Sequence, residues 1–217
     1  MELIGRGREA DVYAVGGDRV LRRFRNGGPA EDEARLLRWL AAQGYPVPVV
    51  HEAAGTDLVM ERLHGPTMSE ALRSRPWRAA AYGALLGRLH RELHGLPDPG
   101  WLPRLPGGDG GDDRVLHLDL HPENVIMTDR GPRVIDWSTS RVGRPEVDVA
   151  MTFVILRGIV LRPHESLLIR GFLRAMARTC GTDRRAGMPA ATERRLADPH
   201  LTETEAALVR RLRRPHA

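Results

Sequence analysis

Residues Val115–Asp136 read VLHLDLHPENVIMTDRGPRVID, and the reading of this stretch decides the fold. It opens on a short apolar run, Val115-Leu116, as a buried strand or the end of one does. A polar loop from His117 to Asn124 follows. Two further apolar runs, Val125-Ile126-Met127 and Val134-Ile135, flank Asp129-Arg130-Gly131. Apolar runs bounded by Gly, Pro and Asp are the pattern of strands joined by a tight turn. The hairpin places Asn124 at the start of one strand and Asp136 at the end of its partner, with Asp119 in the loop beside them. Three oxygen-bearing side chains converging on one spot suit Mg²⁺, a hard cation that takes carboxylate, amide, phosphate and water oxygens.

Taken together, His117-Leu118-Asp119, Asn124 and Asp136 resemble the H-x-D-x-x-x-x-N segment and second Asp of the protein-kinase-like superfamily. The spelling HLDLHPEN followed by IDW is similar to the aminoglycoside phosphotransferase family of small-molecule kinases. Leu118 stands where protein kinases carry Arg, and Asp136-Trp137-Ser138 where they carry DFG. The resemblance implies an α+β, bilobal protein-kinase-like fold with a small β-rich N-lobe (1–62, nucleotide-binding) and a mainly helical C-lobe (63–217, catalytic and substrate). It also implies ATP and Mg²⁺ as cofactors, Asp119 as the group that accepts or orients a hydroxyl proton, and Asn124 and Asp136 as metal ligands.

Upstream, Leu3–Tyr13 reads strand, glycine-containing turn, strand, and Val20-Leu21-Arg22 is a third strand. Gly5 and Gly7 leave room for backbone N–H groups to approach phosphate, and their place before a sheet resembles a kinase phosphate loop. Pro29–Gln43 is a helix with an acidic first turn and an apolar stripe of Ala34, Leu37, Leu40 and Ala41. Glu33 shares that face, and a carboxylate at the edge of a buried stripe needs a partner. The resemblance makes Glu33, with Glu31 as the alternative, the acid that pairs with the basic residue of the third strand. That residue is Arg22 rather than the family's Lys, and strand alternation lets either Arg22 or Arg23 face the cleft. In the family the hinge hydrogen-bonds adenine, which implies Glu61 and Leu63. Ile4, Val12, Val20, Met60 and Ile135 would wall the base.

Downstream, Thr67–Arg75 and Trp77–Leu93 read as helices, and Leu96–Asp113 as a Pro/Gly/Asp-rich loop. His90 and His94 lie four apart, as metal ligands can, but no third ligand is evident, so they are read as packing or surface residues. Glu146–Ala150 resembles the family's D-x-A element, with Asp148 bracing the catalytic loop. Val149–Leu161, Ser166–Cys180, Glu193–Leu196 and Thr202–Arg213 follow as helices, the last opened by a Thr202/Glu205 capping box.

The 217 residues contain no lysine, so all 33 basic residues are arginine, and the net charge is +5. The arginines alternate with acids along the chain, which speaks against a nucleic-acid patch. A single cysteine excludes an intrachain disulfide and fits a reducing compartment. The longest apolar stretch, Val149–Leu161, is too short to span a bilayer, and the N-terminus carries an early acid and no long apolar run of the signal-peptide kind, so the expected place is the cytoplasm. The expected partners are nucleotide and a small-molecule hydroxyl substrate. Two other readings stay open. Arg22 leaves room for a nucleotide-binding pseudokinase with a regulatory role, and His117 and His121 for a metal hydrolase.

Overall fold

A computed structural model describes residues 1–7, 9–25, 27–28, 30–106, 112–159 and 162–212. Pro29, the expected first residue of the N-terminal helix, lies outside them, as do Leu161 and Arg213 at two expected helix ends. The chain divides into two compact units. One comprises Met1–Thr67 with Asn124–Ser138; the other comprises Met68–Glu123 with Thr139–Ala217.

The first unit is built on a five-stranded antiparallel sheet. Its strands are β1 (Glu2–Arg6), β2 (Ala10–Ala14), β3 (Arg19–Phe24), β4 (Val50–Ala54) and β5 (Asp57–Glu61), in spatial order β1-β2-β3-β5-β4. Helix α1 (Ala30–Ala42) buries Ala30, Glu33, Ala34, Leu36, Leu37 and Leu40. Ala41, expected in the stripe, is exposed, and Leu36 takes its place. The apolar face is wider than a strict four-residue row, as is usual for a helix packed on a sheet.

The expected hairpin is present in this unit as β7 (Val125–Thr128) and β8 (Gly131–Val134), with Val125 opposite Val134. Gly131 takes φ +104° at the turn, a conformation that suits glycine. The strand preceding the polar loop, β6 (Arg114–Leu116), belongs to the second unit, where it pairs with β9 (Arg141–Gly143).

The second unit is mainly helical. It contains α2 (Met68–Ser74), α3 (Ala79–His94), α4 (Pro145–Gly158), α5 (Pro163–Thr179), α6 (Met188–Leu196) and α7 (Glu203–Leu212). The expected helix start at Trp77 is corrected: Pro76–Arg78 form a 3-10 turn and α3 begins at Ala79. Helix α6 starts five residues earlier than expected. The Thr202/Glu205 capping box forms as read, with Oε2 of Glu205 accepting from Thr202 N at 3.0 Å and Oγ1 of Thr202 from Glu205 N at 3.3 Å.

Helices α3 and α5 pack closely because Gly83 and Gly87 lie one turn apart on α3. A Cβ at Gly83 would collide with the Phe172 carbonyl, and one at Gly87 with the backbone at Met176. Gly83→Ala is therefore expected to push the helices apart and cost about 1–3 kcal/mol, as overpacking typically does. Urea denaturation followed by circular dichroism measures this, and an unchanged midpoint would show that the close approach carries no energy.

Candidate active site

The loop carrying Asp119 is held by one buried carboxylate. Asp148, on the first turns of α4, is fully buried. Its Oδ1 accepts from Leu118 N at 2.6 Å and its Oδ2 from His117 N at 3.3 Å. Leu118 sits at φ +66°, a strained region for a branched side chain, and the two N–H bonds are what hold it there. The other loop groups are also pinned. The carbonyl of His117 accepts from Thr139 Oγ1 at 2.8 Å, that of Leu120 from Thr152 Oγ1 at 2.6 Å, and Nδ1 of His117 from Asp119 N at 3.3 Å. Asp119 itself is partly exposed, with Nε2 of His121 3.5 Å from its Oδ1.

His90 and His94 are part of this brace, which corrects their reading as residues without a third partner. Both are buried and face Asp148. Nε2 of His94 lies 2.9 Å from Oδ2 of Asp148, and Nε2 of His90 lies 2.9 Å from Oγ1 of Thr152. Thr152 gives its single proton to Leu120, so its oxygen accepts from His90, which fixes the proton of His90 on Nε2. Burial holds the His90 imidazole below its usual pKa, against the pull of Asp148. Burial raises the Asp148 carboxyl, but the neighbouring imidazoles of His90 and His94 outweigh it and hold the group well below the carboxylate range. Among the described residues, His90, His94 and Asp148 are the group close enough to share an ion; His117 and His121 instead spend ring nitrogens on backbone N–H groups.

In the β-rich unit, a second ionic cluster is centred on Arg22. Its Nη1 donates to Oε1 of Glu33 at 2.8 Å, and its Nη2 to Oδ1 of Asp136 at 2.6 Å. The Trp137 backbone N–H also donates to Oε1 of Glu33, at 3.2 Å. Arg22 is buried and lies over the Phe24 ring, whereas Arg23 is on the exposed face with Asp57. Of the two arginines that strand alternation allowed, Arg22 is the inward one, and Glu33 rather than Glu31 is its acid. Burial lowers the Arg22 pKa, but the charges of Glu33 and Asp136 overcome that and raise it. Burial pushes the Glu33 carboxyl up, with Arg22 opposing.

Asn124 and Asp136 lie at the same end of the hairpin, where the Ile135 N–H donates to the Asn124 carbonyl at 3.0 Å. Asp136 is at φ +66°. Its described hydrogen bonds, from Arg22 and from Ser138, both fall on Oδ1, so Oδ2 remains open. A neutral amide oxygen and an open carboxylate oxygen at one hairpin end fit a hard divalent cation.

A sequence model of the phosphotransferase enzyme family matches residues 1–108 and 100–187 of this chain. The chain belongs to that family. Its fold is α+β: a β-rich N-terminal part and a helical C-terminal part. Solved structures share the fold at low identity. The gentamicin–APH(2")-IIa complex superposes with a TM-score of 0.64 at 14% identity, over 91% of this chain and 81% of the other. ADP-bound APH(2'')-Ib gives 0.62 at 12%, over 97% and 90%. A choline/ethanolamine kinase family protein from Mesorhizobium loti gives 0.53 at 20%, over 97% and 92%. Among curated proteins, the EKC/KEOPS complex subunit BUD32 of Encephalitozoon cuniculi is 27% identical over 150 residues. That match spans 67% of this chain and 64% of the relative's length.

The remaining candidate residues lie on the five-stranded sheet and next to strand ends. Gly5 lies within β1, opposite Val12 at an irregularity in the register, and not in the turn as expected. Gly7 lies at the turn, where its N–H is bonded to the Ala10 carbonyl at 2.8 Å. Val20 and Met60 are buried opposite each other on β3 and β5, Val12 and Ile135 are half-buried, and Ile4 is exposed. Glu61 is engaged by Arg130, and its backbone N–H donates to the Val49 carbonyl. Leu63 lines an open groove of about 520 Å³ with Asp18, Arg62, His64 and Thr128–Arg130. None of the other candidate nucleotide residues lines it. No described helix is long and apolar enough to cross a membrane.

Thr139, Thr152, His90 and His94 were not read from the sequence as loop supports. The only signals were the four-residue spacings His90/His94 and Asp148/Thr152, which place each pair on one helix face. Asp148→Ala is expected to cost about 3–5 kcal/mol, since it orphans two loop N–H groups and His94. The Asp148 pKa is lower folded than unfolded. Its stabilisation is therefore complete above the unfolded carboxylate value of about 4 and lost as pH falls through the folded one. Equilibrium unfolding against pH measures both effects; a variant as stable as wild type at pH 7 would contradict the brace.

Proposed function

We propose that the chain transfers the γ-phosphoryl group of ATP, with Mg²⁺, to a hydroxyl of a small molecule. The observation that supports this reading is the open Oδ2 of Asp136 beside Asn124 at one hairpin end, in a chain whose Asp119 loop is rigidly braced. Residues 1–62 would form the nucleotide-binding lobe and 63–217 the catalytic and substrate lobe.

Magnesium ATP supplies the electrophilic phosphorus and neutralises phosphate charge. Asn124 and Asp136 would hold the ion, with Asp136 as the principal carboxylate. Gly5, Gly7 and Arg22 would face the phosphates, and Val12, Val20, Met60, Glu61, Leu63 and Ile135 the base. Asp119 takes the proton of the attacking hydroxyl as the new O–P bond forms and the bond from phosphorus to ADP breaks. Positioning and charge placement carry most of such a rate enhancement, which is why the pinned loop matters.

A regulatory nucleotide-binding module is the second reading, and one observation favours it: Arg22 spends one arm of its guanidinium on Asp136. Its long planar fork reaches two carboxylates at once, where a lysine would offer one point charge. Arg22→Lys should free Asp136 and keep or raise turnover. Arg22→Ala should weaken ATP binding and destabilise the β-rich unit by about 1–3 kcal/mol, leaving Glu33 buried and unpaired. Denaturation and nucleotide titration of both variants check this.

Two substitutions test the main reading. Asp136→Ala should abolish Mg²⁺-dependent nucleotide binding; affinity within about twofold of wild type, under 1 kcal/mol, would contradict the metal assignment. Asp119→Asn should keep nucleotide affinity and lose transfer. A wild-type rate in that variant would move the chemistry elsewhere and leave the regulatory reading standing.

A further inference from the structure

Two arginines in the helical unit, beside the Asp119 loop, form no ion pair with a carboxylate among the described residues. Arg141 opens β9, and the β6–β9 register sets it opposite Leu116, three residues before Asp119. Its guanidinium donates to the carbonyl of Ser140 at 2.7 Å, a neutral acceptor. Arg194 is on α6, one turn after Ala191. Ala191 is buried in the same cluster as Leu116 and Leu118, and residues three apart share a helix face. Arg194 is half-buried, and no described residue gives it a hydrogen bond or ion pair. The next residue, Arg195, is by contrast paired with Asp198 at 2.7 Å.

Burial lowers the Arg194 pKa first, the neighbouring charge of Arg141 lowers it further, and Asp119 pulls it partly back. The three charges thus sense one another. Two guanidinium groups against the one carboxylate of Asp119 leave the local balance positive. Two half-buried guanidinium groups with a single carboxylate, Asp119, near them are costly to desolvate. A planar fork is also the best side chain for holding phosphate or carboxylate through parallel hydrogen bonds.

We infer that Arg141 and Arg194 form an anion-recognition pair beside Asp119, and that the acceptor is an alcohol bearing a phosphate or carboxylate group. This rests on the reading of Asp119 as the group that takes the hydroxyl proton. A polyamine acceptor would be repelled by the pair, and a neutral alcohol would leave it unsatisfied.

The test is calorimetric titration of the full chain with inorganic phosphate, ribose 5-phosphate, ribose and kanamycin. Each titration is run without nucleotide and again with saturating magnesium AMP-PNP. Phosphate and ribose 5-phosphate should bind in both conditions, at least about tenfold more tightly than ribose or kanamycin. Arg194→Gln should weaken them about tenfold, Arg194→Lys should retain most of the affinity, and neither should alter the affinity for magnesium ATP. Phosphate binding that vanishes when AMP-PNP is present, or an equal loss of ATP affinity in Arg194→Gln, would assign the anion to the nucleotide and overturn the inference. So would absence of phosphate binding at about 20 mM, or tighter binding of kanamycin. Failure of the phosphotransfer reading is separate: magnesium ATP would neither bind nor be turned over while the phosphate titrations stayed intact.

Discussion

A single buried carboxylate, Asp148, determines the shape of the loop on which the chemistry would depend. It is an expensive group to bury, and the fold surrounds it with two backbone N–H groups and two imidazoles. In return it holds Leu118 at positive φ and fixes the direction in which the chain enters Asp119. The same helix supplies Thr152, which ties Leu120 on the far side of Asp119. Rigid support on both sides suits the role of general base proposed for Asp119, because catalysis by positioning is lost with displacements of about 1 Å.

In the β-rich unit the organising element is again an ionic cluster, but with a different consequence. Arg22 bridges Glu33 and Asp136, so the strand, the helix α1 and the end of the hairpin share one guanidinium. Arginine makes that bridge possible, since its two terminal nitrogens serve two acids while a lysine would have to choose. The bridge occupies Oδ1 of Asp136 and leaves Oδ2, so structural pairing and the proposed metal role coexist on one side chain. Trp137 stabilises the arrangement from below through its contact with Tyr45 and its bonds to Glu33 and the Val134 carbonyl.

Much of this was legible in the sequence because it rests on short-range patterns. The hairpin follows from apolar runs around Asp129-Arg130-Gly131, and the need of Glu33 for a partner from its place at the edge of a helical stripe; that the partner is Arg22 was implied by the family resemblance, with Glu31 left as the alternative acid. Asp148 was readable as a brace only through its resemblance to the D-x-A element. His90 and His94 were not readable, because their partner lies 54 residues or more away on another helix, and spacing on one helix says nothing of what faces it. The start of α6 was missed because Met188–Thr192 contains a proline and weak apolar periodicity. Arg141 and Arg194 were invisible for another reason: in a chain where every basic residue is arginine, a pair with no ion-paired acid stands out only once its neighbours are known.

The central claim is that Asn124 and Asp136 hold the divalent ion against the nucleotide phosphates. A crystal of the full chain grown with AMP-PNP and Mn²⁺, measured at the manganese absorption edge, tests it most directly. The account predicts an anomalous peak bonded to Oδ2 of Asp136 and the side-chain oxygen of Asn124. A peak on His90, His94 and Asp148 instead, or nucleotide bound with Asp136 still closed on Arg22 and no ion beside it, would contradict the account.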